Sequence, residues 1–179
     1  MKGSLIIFLL FLFTSCIPVR IAPKIKEDKV KIAKRFKRHL PKTYSYIFKD
    51  PKDADEFYNY INTIYQLNHK DVEFNVPVLI NKNEYFISFY EVEIPTETIN
   101  LVPVLIDAKL ESAGSSGFLQ DAYVTRKGTW YIVLTVSDSK MNDSLHPKYI
   151  NRQEVITFLK KLRLEYLNTT NYLSILLRK

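Results

Sequence analysis

The spacing of apolar residues changes along the chain and predicts where helices and strands lie. Over residues 54–65, apolar and aromatic side chains recur every three or four positions, which is typical of an amphipathic helix. Asp50 and Pro51 predict the start of this helix, since aspartate caps helices and proline suits the first helical position. A similar stripe predicts a second helix over residues 151–167, and a short helix is predicted at 170–177.

Between residues 72 and 138 the apolar period is two, which is typical of β-strands. Together with a short candidate before the first helix, this pattern predicts strands near residues 43–48, 73–80, 84–94, 99–110, 119–126 and 129–137. Turn-forming residues separate the later strands at 81–83, 95–97, 113–117 and 127–128. Short connections favour antiparallel pairing. The chain is therefore predicted to be an α+β protein, with an antiparallel meander sheet of about five strands and helices before and after it.

Two details refine the predicted sheet. The pentapeptide VPVLI occurs at residues 76–80 and 102–106, but the flanking residues differ, so a duplicated unit is not indicated. Because proline cannot donate to a β-ladder, Pro77 and Pro103 are predicted at edges or bulges. The last strand, 129–137, is strongly apolar on one side only, so its second face is predicted to be partly open.

The first residues have the pattern of an export signal. Lys2 precedes nine apolar residues, 5–13, which are too few to span a bilayer because a spanning helix takes about 20. The residues that follow resemble the lipobox of bacterial lipoproteins, with an aromatic residue where that motif has an aliphatic one: Phe13, Thr14, Ser15 and Cys16. This resemblance covers residues 1–16 and implies cleavage before the cysteine and lipidation of its sulfur. An ordinary signal peptide cut near Ser15 is the alternative.

The resemblance implies a domain organisation and a location. Residues 1–15 would be a signal peptide, residues 16–43 a lipidated basic tether, and residues 44–179 a single α+β domain. Each lipid methylene buried in the membrane contributes about 0.8 kcal/mol, so acyl chains on Cys16 would make membrane lipid a stable partner. The residue after the cysteine is Ile17 and not an aspartate. By resemblance to Gram-negative lipoproteins, this favours the outer membrane over the inner membrane. The cell envelope is the expected location.

Positive charge is concentrated in the tether. Residues 17–43 contain ten basic and two acidic residues, so their net charge is +8. The whole chain carries +7, and Lys2 contributes +1 of that, so residues 44–179 carry −2. An amphipathic helix is predicted over residues 28–40, ending before Pro41. Its cations are expected to contact anionic headgroups, where each is worth about 1 kcal/mol. These membrane-contact candidates are Lys29, Lys31, Lys34, Arg35, Lys37 and Arg38.

Membrane contact is one of several roles open to this helix. In the alternative, the helix docks on the domain and exposes its cations to water. Nucleic acid is not expected as a partner, because the segment lacks interleaved aromatic residues beyond Phe36 and an exported protein rarely meets nucleic acid.

No short-range motif indicates catalysis, a metal or a cofactor. The single cysteine cannot form an internal disulfide, and the three histidines lie far apart in sequence: His39, His69 and His146. The AGSSG segment, with Ser115 and Ser116, lacks the context of a nucleophile elbow or phosphate loop and is predicted to be a hairpin loop. Oxygen donors after the last strand lack the glycine and distal glutamate of a calcium loop and predict a polar turn: Asp138, Asn142 and Asp143.

These observations leave three hypotheses for function. The leading one is an envelope-anchored lipoprotein with a noncatalytic binding or structural domain and a protein partner in the envelope. A second is a membrane-tethered enzyme, such as a hydrolase, whose site is assembled only in three dimensions. Carboxylates or histidines such as Asp107, Asp138, His69 or His146, buried together with shifted pKa values, would favour the enzyme. A third is an immunity-like or inhibitor-like partner binder.

Overall fold

A computed structural model describes residues 16–20, 22–100 and 124–176. The leader and the first three lipobox positions lie outside this part of the chain, as do Pro103, Asp107, Ser115, Ser116 and most of the strands predicted at 99–110 and 119–126. The chain divides into two compact units, residues 1–24 with 94–129 and residues 25–93 with 130–179.

Six strands and three α-helices are described. The strands are β1 (Cys16–Arg20), β2 (Lys29–Ile32), β3 (Tyr44–Asp50), β4 (Val76–Ile80), β5 (Asn83–Asn100) and β6 (Val124–Asp138). They form a sheet of order β1-β5-β6-β3-β2, with β4 also beside β5. The helices are α1 (Glu56–Ile64), α2 (Arg152–Asn168) and α3 (Leu173–Leu176), and a 3-10 helix spans Ala33–Arg35. The predicted α+β class, the antiparallel sheet and the helices before and after it are confirmed.

In the first unit, β1 pairs antiparallel with the distal part of β5. Cys16 lies opposite Asn100, and Arg20 lies opposite Glu97, with a shift in register after Pro18 that is typical of a β-bulge. The candidate lipidation residue therefore belongs to a strand of the sheet rather than to an irregular linker.

In the second unit, α1, α2 and one face of the sheet enclose an aromatic core. Phe57 on α1 lies at its centre, with no exposed surface. Its ring contacts four other aromatic rings, from β3, α1, β5 and α2: Phe48, Tyr60, Phe89 and Tyr166. Large rings bury much apolar area in a small volume. The predicted core stripes of α1 and α2 are thus brought together on one side of the sheet.

The opposite face of the sheet is covered by the segment that follows β2. Ala33 and Leu40 are buried, and the Phe36 ring meets Tyr131 of β6 edge to face at 5.1 Å. Tyr131 and Val133, which alternate with the residues of the main core, have almost no exposed surface. On the second face of the last strand, which was predicted to be partly open, Tyr131 and Val133 are therefore buried, whereas Thr129 and Thr135 are half-buried.

The predicted helix over residues 28–40 was wrong, since this segment contains β2 and the 3-10 helix. Val30 of β2 pairs with Tyr46 of β3, and the Ala33 N–H donates to the Thr43 carbonyl at 2.9 Å. The β-branched Val30 and Ile32 suit a strand. Residues 29–32 of the predicted basic tether are thus held by pairing with β3.

Three other boundaries differ from the predictions. Helix α1 begins at Glu56 instead of Pro51, because Asp50 ends β3 and does not cap a helix. Strands β5 and β6 continue through the turns predicted at 95–97 and 127–128. Long-range pairing overrides these weak turn signals. Helix α2 matches its prediction, and Pro77 lies on β4, whose described partner is β5 alone, as expected for an edge.

Candidate functional site

The six cations predicted as the membrane contact lie together in the chain on β2 and the turns after it. Lys29 and Lys31 belong to β2, Lys34 and Arg35 to the 3-10 helix, and Lys37 and Arg38 to the following turn. We call these six residues the basic surface. None of the six forms an ion pair within 4.0 Å in the described part of the chain.

Strand alternation separates the cations from the acidic residues beside them. Lys29 and Lys31 point away from the main core, whereas Val30 between them packs against it. Asp28 points to the opposite side from Lys29, toward helix α2, where its carboxylate lies 3.9 Å from the buried Arg163 guanidinium. Glu27 contacts the same guanidinium at 3.7 Å. The two carboxylates of the segment are therefore paired away from the basic surface.

Within the basic surface, the charges of Lys29 and Arg35 act on Lys31. Partial burial lowers the pKa of Lys31, and the positive charges of Lys29 and Arg35 lower it further. The Lys31 ammonium also lies 5.2 Å above the Phe36 ring, within the range of a cation–π contact. By contrast, the Lys37 ammonium donates to the Glu93 carbonyl at 2.7 Å. The charge of Lys31 is thus opposed by two like charges, and an anion there would relieve the repulsion.

A second cluster, not predicted from the sequence, joins acidic and tyrosine residues at the other end of β3. The Tyr166 hydroxyl donates to both carboxylate oxygens of the buried Asp50, at 3.0 and 2.9 Å, and the Lys52 N–H donates to Asp50 at 3.0 Å. Burial raises the pKa of Asp50, and these two hydrogen bonds oppose the rise. Asp50 and Tyr166 are 116 residues apart, so no local motif could have revealed their contact.

Lys52 closes the same cluster above helix α2. Its ammonium donates to the Tyr166 and Thr169 carbonyls, both at 2.6 Å, and lies 4.3 Å from the Tyr166 ring centre and 5.0 Å from that of Tyr172. A cation at the C-terminal end of a helix complements the partial negative charge there. Lys52 is therefore placed as a helix cap, with its donors already used.

Glu91 of β5 has a similar structural role at the start of α1. Its Oε2 atom accepts the Asp55 N–H at 3.1 Å, and the side chain of Asp55, whose φ is 67°, forms no cap of its own. Burial raises the pKa of Glu91, and the negative charge of Asp50 contributes to the rise. The Glu91 Oε1 atom is buried and accepts no hydrogen bond from the described residues. Glu91 thus serves as a helix cap supplied by a strand.

The contacts of this second cluster tie together parts of the fold that are distant in sequence. A catalytic acid or base needs a proton or lone pair that can reach a substrate. Both oxygens of Asp50, the ammonium of Lys52 and one oxygen of Glu91 are instead engaged with the protein itself. The arrangement is typical of a buried polar network that fixes the packing of β3, α1 and α2.

The raised pKa values of Asp50 and Glu91 predict a pH dependence of stability. Unfolded Asp and Glu titrate near pH 4, at about 3.9 and 4.3. Since both carboxyls hold protons to higher pH when folded, the free energy of unfolding should fall as pH rises above about 4 through the folded-state pKa values.

The Glu91→Gln variant removes one of these titrations, so its stability should fall less steeply than that of the wild type between about pH 4 and pH 7. Urea unfolding at several pH values measures the difference. Glu84→Gln, at an exposed position on the same strand, is the control and should follow the wild type. A Glu91→Gln profile as steep as the wild type would contradict the assignment.

The remaining chemical candidates are engaged locally. His69 stacks on Tyr58, and its Nδ1 lies 3.2 Å from the Tyr58 hydroxyl. The Asp138 carboxylate accepts the Lys140 and Asn142 N–H groups, and Asp143 accepts the N–H groups of two other residues, Tyr44 and Leu145. The turn predicted at these residues is confirmed. No group of three potential metal ligands occurs in the described ranges.

Two open grooves border helix α2 and the turn before it. One, of about 330 Å³, lies between β4 and α2 and includes Leu79, Phe158 and Lys161. The other, of about 360 Å³, lies over the turn and includes His146 and Lys148. Neither contains Asp50, Glu91 or a residue of the basic surface.

Comparisons with known proteins give no match among protein-family models, curated proteins or solved structures. Among the helices of the described ranges, none has the length and apolar character needed to cross a membrane.

Proposed function

We propose that this chain is an envelope-anchored lipoprotein whose domain is noncatalytic and has a binding or structural role. Lipidation of Cys16 would hold it to a membrane, with the outer membrane favoured over the inner. The basic surface supports the proposal most strongly, because the fold displays six cations without acidic partners among the described residues. A single acyl chain binds membranes only marginally, so added chains or a basic patch make attachment stable.

A membrane-facing role accounts for the position of the charges. A cation beside an anionic leaflet is worth about 1 kcal/mol, and this attraction falls off within a Debye length of about 8 Å at physiological ionic strength. The basic surface must therefore lie close to the headgroups to contribute. Its location on a folded strand and turn, instead of a flexible linker, would fix how the domain is presented to its partner in the envelope.

Palmitate labelling in cells tests the anchor. The wild-type protein should incorporate labelled palmitate, and Cys16→Ser should lose all of the label, because the chain has a single cysteine. Met141→Ser, a substitution at an exposed position, is the matched control and should retain the label. Label that persists in Cys16→Ser would overturn the proposal.

Amine-reactive footprinting of the reconstituted lipoprotein tests the membrane contact. In vesicles that contain phosphatidylglycerol, Lys29, Lys31 and Lys34 should react more slowly than in vesicles of phosphatidylcholine alone. The exposed lysines of other elements are the controls and should react equally in both: Lys70, Lys82, Lys160 and Lys161. Equal reaction rates of Lys29, Lys31 and Lys34 in the two kinds of vesicle would contradict a membrane role for the basic surface.

A membrane-tethered enzyme, such as a hydrolase, is the second candidate. It is favoured by one observation, namely that Asp50 and Glu91 are neighbouring carboxyls whose pKa values are raised by burial. If they act on a substrate, Asp50→Asn and Glu91→Gln should each abolish hydrolysis of a chromogenic ester, phosphate or glycoside. If the domain is noncatalytic, the wild type should hydrolyse none of these substrates. Hydrolysis by the wild type that is lost in both variants would favour the enzyme instead.

A further inference from the structure

Three members of the basic surface are related by strand alternation and by charge. Lys29 and Lys31 lie two residues apart on β2 and point to the same side of the sheet. Arg35 follows in the 3-10 helix, close enough for its charge to act on Lys31. Lys37 instead bonds to the Glu93 carbonyl. Lys29, Lys31 and Arg35 therefore form one group of positive charge within the basic surface.

The backbone under this group is held in place. The Ser45 hydroxyl donates to the Lys31 carbonyl at 2.9 Å, and residues 29–32 pair in register with residues 44–47 of β3. The turn is fixed by the Lys34 N–H, which donates to the Pro41 carbonyl at 2.8 Å, and by Phe36 against Tyr131. A site whose backbone is already ordered loses less entropy when a ligand binds.

We propose that Lys29, Lys31 and Arg35 form a binding site for a phosphate group. Two ammonium groups and one guanidinium supply a charge of about +3 opposite a ligand of up to −2, and arginine can donate two parallel hydrogen bonds to phosphate oxygens. This inference rests on the proposed function, since it names the ligand of the basic surface. The phosphate is that of an anionic lipid headgroup or a free phosphate, which share this chemistry.

Two triple variants of equal charge separate a site from general attraction. One is Lys29→Ser, Lys31→Ser and Arg35→Ser, and the other, the matched control outside the basic surface, is Lys70→Ser, Lys82→Ser and Lys160→Ser at exposed positions. The lipoprotein is held in neutral detergent and titrated with inorganic phosphate, with dioctanoyl phosphatidic acid and with dioctanoyl phosphatidylcholine. Binding is measured by calorimetry, and thermal unfolding of each variant shows that it is folded.

The site predicts that the first variant binds inorganic phosphate and phosphatidic acid at least about tenfold more weakly than the wild type, whereas the control changes by about threefold or less. Tighter binding of phosphatidic acid than of inorganic phosphate identifies the lipid headgroup as the ligand, and equal binding identifies the phosphate alone. Equal weakening in both variants, or none in the first, overturns the site but leaves the proposed function intact. Absence of palmitate on Cys16 would instead contradict the proposed function.

Discussion

Phe57→Ala should lower the free energy of unfolding by about 3–5 kcal/mol, the largest effect expected of any single substitution considered. Phe57 has no exposed surface. The centre of its ring lies 4.9 Å from that of Phe89 and 5.0 Å from that of Tyr166. Truncation would leave a cavity between α1, β5 and α2, and the surrounding rings are too rigid to fill it. Equilibrium urea unfolding measures the change.

Phe74→Ala is the matched control for this cavity. Phe74 is also a phenylalanine with an aromatic neighbour, Tyr90, but 49% of its surface is exposed. Its loss should cost about 1 kcal/mol or less, because little apolar area returns to water. Equal losses in the two variants would contradict the placement of Phe57 at the centre of the core.

Tyr166→Phe should cost about 1–3 kcal/mol, because it removes a hydroxyl that donates to both oxygens of a buried carboxylate. Asp50 would keep the Lys52 N–H as its remaining donor. Tyr58→Phe is the control, since its hydroxyl contacts His69 at an exposed site and should be worth about 0.5 kcal/mol or less. Urea unfolding of both variants gives the comparison.

A double-mutant cycle with Asp50→Asn identifies the cause of the loss. If Tyr166 acts through Asp50, the cost of Tyr166→Phe should shrink once the carboxylate is replaced by a neutral amide, because the two residues are in contact. A cost that stays the same in the Asp50→Asn background would show that the hydroxyl stabilises the protein in another way.

The parts of the fold that were predicted correctly depend on local patterns. Helix α2 has 17 residues and a sustained apolar stripe, so its position follows from the spacing of neighbouring residues. Strand β4 likewise alternates between buried and exposed positions. Residues 29–32 were predicted wrongly because their conformation is set by β3, a partner that the spacing of their own side chains does not reveal.

The candidate site divides in the same way. The identity of its cations follows from charge alone, because ten of the residues in 17–43 are basic. The grouping of these cations does not follow from charge. A helix would place Lys29 and Lys31 on different sides, whereas a strand places them on the same side. The Asp50–Tyr166 contact joins residues 116 positions apart, so only the folded structure reveals it.

The anchor at Cys16 is the claim on which the proposed location depends, and intact-mass analysis of the mature protein purified from membranes tests it most directly. The mature polypeptide is expected to begin at Cys16, with its mass increased by a diacylglyceryl group on the sulfur and by N-terminal acylation. A mature protein that still begins at Met1, or whose Cys16 carries no lipid, would contradict it.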